Sequence, residues 1–69
     1  MHNQLTQRVA DHSRYFAIGE LDDCTTSVIT LNESIILGFG LVSIGLSHEA
    51  AAELAAHLVA ALNADGGVQ

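Results

Sequence analysis

The apolar and polar positions of this chain change rhythm twice, from a sparse polar start, through runs of β-branched and aromatic residues, to an alanine-leucine run at helical spacing. Residues 1–13 (MHNQLTQRVADHS) are polar apart from a few positions, with Leu5 and Val9 four apart and Asn3 ahead of them as a cap. This spacing predicts a short helix or an arm. Residues 14–21 (RYFAIGEL) and 25–31 (TTSVITL) have strand composition and flank Asp22-Asp23, a polar break suited to a turn. They predict paired strands. Asn32-Glu33 makes a second break, without the glycine of a tight two-residue hairpin.

Residues 34–46 (SIILGFGLVSIGL) are the most apolar stretch, and their parity is informative. Ile35, Leu37, Phe39 and Leu41 are at odd positions, whereas Val42, Ile44 and Leu46 are at even ones. A strand shows alternate residues to one face, so the phase change near Gly40 predicts a bend or tight turn splitting the segment into two short strands. Residues 48–63 (HEAAAELAAHLVAALN) then predict a helix, with Ser47 at the N-cap and Glu49 in the first turn. Ala51, Leu54, Ala55, Leu58 and Leu62 form its apolar stripe, and Glu49, Glu53 and His57 form a solvated row. Asn63 and Gly66-Gly67 predict its end, followed by a flexible tail over 64–69.

The expected fold is therefore α+β: one domain over 1–69, with a small antiparallel β-meander of three to four strands in 14–46 and one C-terminal α-helix packed on one face. A single helix covers one side of a sheet, yet both the odd and the even sets of 34–46 are large and apolar. One apolar surface is thus left for a partner. We assign Ile35, Leu37, Phe39 and Leu41 to that partner or self-association surface and expect a homodimer or higher oligomer formed through sheet faces or edges.

Composition narrows the function classes. At 69 residues and 7.2 kDa, the chain buries only about 60% of its unfolded surface. The single cysteine excludes an intramolecular disulfide as the compensating staple. An apolar fraction of 49% with 14% charged residues argues for a globular domain, and no apolar run approaches a membrane-spanning length. The formal charge is −6, with Arg8 and Arg14 the only Lys or Arg residues. A chain without a basic footprint is not expected to bind nucleic acid directly or to seek anionic membranes. A lone thiol and a start without a signal-peptide pattern predict a cytoplasmic protein.

No constellation of residues points to catalysis, a metal or a cofactor. His48-Glu49 begins like a zinc-protease helix motif, but Ala52 stands where the second ligand belongs. His2, His12, His48 and His57 have no ligand spacing, and GFGLVSIG is not a dinucleotide fingerprint. Cys24, beside Asp22 and Asp23, lacks the electropositive setting of an activated thiolate. The turn carboxylates Asp22, Asp23 and Glu33 lack the spaced oxygen ligands of a calcium loop. We expect a non-enzymatic chain without cofactors.

Residues 42–62 (VSIGLSHEAAAELAAHLVAAL), a strand running into a Ser-capped alanine-leucine helix, resemble the C-terminal part of small proteins common in actinobacteria and their phages. The likeness covers under a third of the chain. Those proteins more often have Thr-Pro-Glu-Glu where this chain has Ser47-His48-Glu49-Ala50. The resemblance implies an antiparallel sheet with one C-terminal helix, encoded by a phage or mobile element, and no functional residues.

Three functional expectations follow. The first is a small acidic protein-interaction module, a phage- or element-encoded modulator of a host protein. The second is an acidic nucleic-acid mimic that inhibits a DNA-handling enzyme. The third is a self-assembling subunit with a ligand site formed between chains.

Overall fold

The computed structural model describes residues 3–12 and 14–67. Among these residues, five strands, β1 (Gln4–Ala10), β2 (Tyr15–Leu21), β3 (Cys24–Leu31), β4 (Ser34–Phe39) and β5 (Val42–Ser47), are followed directly by one helix, α1 (His48–Gly67). The strands pair antiparallel in the order β1-β2-β3-β4-β5, an open meander. The α+β class expected from the sequence is present, but with five strands instead of three or four.

The additional strand comes from the N-terminal segment, where a helix or an arm was expected. Leu5 pairs with Gly19 and Val9 with Phe16, and the register slips between Gln7 and Val9. This bulge sends Leu5 and Val9 to opposite faces of the sheet, so their four-residue spacing does not mark a helical stripe. Asn3 caps no helix. Its Oδ1 accepts a hydrogen bond from the Asp22 amide at 2.7 Å and ties the start of β1 to the β2–β3 turn.

The turns after β2, β3 and β4 each use a residue that tolerates left-handed backbone. Asp22 (φ 51°) and Asp23 (φ 65°) close β2 on β3, Asn32 (φ 58°) begins the β3–β4 turn, and Gly40 (φ 62°) begins the β4–β5 turn. Asx side chains occupy this region at modest cost, which explains two-residue turns without glycine in the β2–β3 and β3–β4 hairpins. The Gly40 amide also donates to the Thr25 carbonyl at 2.8 Å, extending the β3–β4 ladder into the turn.

Register defines two faces. Ala17, Val28, Leu37 and Ile44 are successive partners across one face, and Phe16, Ile29, Ile36 and Gly45 across the other. Helix α1 lies on the first face, against β4 and β5. Ser47 caps it, its Oγ accepting from the Ala50 amide at 3.1 Å. Ser47→Ala is expected to cost about 1 kcal/mol in urea unfolding followed by circular dichroism, whereas Ser47→Asp keeps the cap. The helix continues to Gly67, beyond the end expected at 63 and into the segment expected to be a flexible tail. Asn63 in a helix interior costs only a fraction of a kcal/mol, and no proline stops the helix. Residues 68–69 of that tail lie outside the described residues.

Burial is shallow. Among the described residues only Ala17 (2% exposed) and Thr26 (3%) are buried, and no large side chain is fully enclosed. Thr26 Oγ1 donates to the Cys24 carbonyl at 2.9 Å, so its hydroxyl is satisfied in the interior.

Candidate functional site

The turn at Gly40-Leu41 determines where the apolar residues of 34–46 go. Chain reversal pairs Ile35 with Leu46, Leu37 with Ile44, and Phe39 with Val42. Paired residues share a face, so the odd and even sets, expected on two surfaces, lie together on the helix-bearing face. The proposed surface Ile35, Leu37, Phe39, Leu41 is thereby divided. Ile35 and Leu37 are half-buried and, with Leu46, floor an apolar cleft of about 190 Å³ roofed by Ala51, Leu54, Ala55 and Leu58. Phe39 remains exposed near the β4–β5 turn, and Leu41 is fully exposed in it.

The roof does not close. Exposure along the α1 stripe rises from half-buried Ala51 to 42% at Leu54, 57% at Leu58 and 71% at Leu62. The helix leaves the sheet as it advances, carrying leucines into solvent. Of the eleven exposed large apolar residues described, eight (Phe39, Leu41, Val42, Ile44, Leu54, Leu58, Val59, Leu62) belong to the end of β4, the β4–β5 turn, β5 or α1. Exposed apolar surface is therefore concentrated at one side of the sheet and not scattered.

The opposite face has its own apolar row, which the sequence reading did not single out. Val9, Phe16, Ile29 and Ile36 follow one another across β1 to β4. Phe16, Ile29 and Ile36 are half-buried. The signal was present in the alternation of 14–21 and 25–31, whose parities place Phe16, Ile18 and Ile29 away from Ala17 and Val28.

Polar groups form no comparable centre. A shallow hollow of about 410 Å³ is lined by Glu33, Ser47 and His48, but the Ser47 hydroxyl is engaged in the helix cap. Asp22-Asp23 and Glu33 sit in successive hairpin turns, which a meander places at opposite ends of the sheet, so these acids do not form one cluster. Among the described residues, no three His, Cys, Asp or Glu side chains gather closely enough to hold a metal ion. Cys24 is a half-buried free thiol whose Sγ lies 3.7 Å from the Thr25 carbonyl.

Two exposed side-chain pairs among the described residues are local. Arg14 reaches Asp11 at 2.9 Å across the β1–β2 turn, and His57 meets Glu53 at 3.0 Å along α1. The Arg14 guanidinium, helped by the His12 amide, holds the Asp11 carboxyl below its ordinary value. No helix among the described residues is long and apolar enough to cross a membrane.

The fold and the surface define a class: an open five-stranded antiparallel meander with a C-terminal helix and a one-sided apolar surface. Comparison with known proteins adds no relative, since no family model, curated protein or solved structure matches the chain.

Proposed function

We propose that this chain is a protein-interaction module, acting by association and not by catalysis, with the apolar surface of β5 and α1 as its working surface. The observation that carries this reading is the rise in exposure along Leu54, Leu58 and Leu62 on a helix rooted in the sheet. Full burial of an exposed leucine is worth about 1.5–3 kcal/mol, and these three, partly exposed, forgo roughly half of that each, which another polypeptide can supply. The finer reading, a phage- or mobile-element-encoded modulator of a host protein, rests on the resemblance of residues 42–62. The separation of Asp22-Asp23 from Glu33 gives no support to a nucleic-acid mimic.

The test is capture by a tagged chain from an actinobacterial lysate that also contains untagged copies, at low and high salt, with a Leu58→Asp bait in parallel. Apolar association is retained at high salt and lost in Leu58→Asp. Binding that disappears at high salt and ignores Leu58→Asp would replace this reading with charge mimicry, and no captured protein under either condition would overturn it.

A further inference from the structure

We infer that the occupant of the β5–α1 surface is a second copy of this chain, joined across a two-fold axis by antiparallel pairing of β5 with β5; this inference rests on the interaction reading and names its partner. Two observations and one geometric consequence support it. The first is area. The chain exposes 5441 Å², whereas a compact monomer of this mass exposes about 4,100 Å², a surplus of about 1,300 Å². The surplus is summed over the whole chain, and an interface of that size on each of two copies removes about 2,600 Å² in total, within the range of obligate homodimers. The radius of gyration, 13.3 Å, likewise exceeds the roughly 11 Å expected of a compact chain of this length.

The second observation is the contrast between the two sheet edges. Unpaired edge strands invite further pairing unless charge, proline or a bulge blunts them. Edge strand β1 has both Arg8 and the irregular register between Gln7 and Val9. Edge strand β5 (VSIGLS) has no charge, no proline and an unbroken register against β4. It is the unprotected edge.

The third is symmetry. A two-fold axis normal to the sheet keeps the same face up in both copies, so β5–β5 pairing makes one continuous sheet with both α1 helices on one side. Val42 and Ile44, exposed on that side of β5, then lie beneath the helices beside the axis. Repulsion between two chains of charge −6 does not fall on this surface, because Glu49 and Glu53 lie on the helix row away from the Leu54-Leu58-Leu62 stripe.

The experiment is light scattering after gel filtration at tens of micromolar, on wild type, Ile44→Lys, Leu58→Asp and, as a distant control, Leu31→Asp. All three sites are already exposed, so circular dichroism should keep its sheet and helix signals. Wild type and Leu31→Asp are expected at twice 7.2 kDa, and the other two variants at the monomer mass. Hydrogen exchange should show the outward-facing β5 amides of Ser43 and Gly45 protected in wild type and released in Ile44→Lys, while those bonded to β4 stay protected in both. A monomeric wild type, a dimer that survives both Ile44→Lys and Leu58→Asp, or rapid exchange of the Ser43 and Gly45 amides within the dimer would overturn the inference. A monomer that still captures another protein through Leu58 would overturn the homodimer alone, and a monomer that captures nothing would remove the interaction reading as well.

Discussion

Gly19→Val is expected to detach β1 from the sheet and to lower stability by about 3 kcal/mol or more. In an ordinary strand a β-branched residue improves on glycine, so strand propensity alone predicts the opposite sign. Here a Cβ at position 19 would overlap the Gln4 carbonyl oxygen and lie 2.9 Å from Leu5 Cα and 3.0 Å from the Gln4 carbonyl carbon. All three are backbone atoms of the paired strand, so no rotamer change relieves the overlap. Overpacking usually costs about 1–3 kcal/mol, and immovable neighbours place this site at or above the upper end. A 69-residue chain has about 3–10 kcal/mol of stability in total, so the loss takes a large share of it. Urea unfolding should show the drop, and hydrogen exchange should show β1 amides opening before those of β3 and β4. An unchanged midpoint would mean that β1 is not packed against Gly19 as described.

The same pairing shows what was legible in the sequence. Strand composition in 14–21 and 25–31, the phase change at Gly40 and the Ser47 cap each arise from chemistry local to a few residues, and each marks a feature of the fold. β1 is different. Its residues QLTQRVA have no strong strand preference, and they become a strand because β2 offers a row of unpaired backbone groups. A bulge then cancels the parity that would have shown Leu5 and Val9 as members of two faces.

The candidate surface was legible in kind but not in location. An excess of apolar residues over what one helix can cover follows from composition and pattern. Which residues bear that excess depends on the direction of the chain after Gly40. A bulge within one straight strand would put Ile35 and Val42 on one face by a phase shift, whereas a hairpin does so by reversal and also creates β5 as a new edge. Only the second outcome gives the Leu37–Ile44 pairing and brings α1 back over β4. The exposed ends of the helix stripe depend on a further quantity, the angle at which α1 leaves Ser47, which no periodicity encodes.

A second large effect is expected at Ala17, the most buried apolar residue described. It sits mid-strand in β2 between Gln7 and Val28. Ala17→Asp places a carboxylate where water does not reach, and an uncompensated buried charge costs about 3–5 kcal/mol, enough to unfold much of the population at neutral pH. Ala17→Asn supplies nearly the same shape without the charge and isolates the electrostatic part. The pH dependence fixes the sign. Burial raises the folded-state pKa of the new carboxyl above its unfolded value, so the charge penalty is fully present above the folded pKa and is relieved as pH falls through it. Stability of Ala17→Asp relative to Ala17→Asn should therefore rise on acidification by up to about 1.4 kcal/mol per pH unit. The wild-type carboxyl Asp11 behaves in the opposite sense. Its pKa is lowered by Arg14, so its contribution is present above the unfolded value and is lost as pH falls through the folded one. Urea midpoints of the two Ala17 variants at pH 7 and pH 5 decide the matter. A clearly narrower gap at the lower pH supports a closed interior at Ala17, while an equal gap at both values would mean that water reaches the site and that the middle of β2 is not the dry interior of this fold.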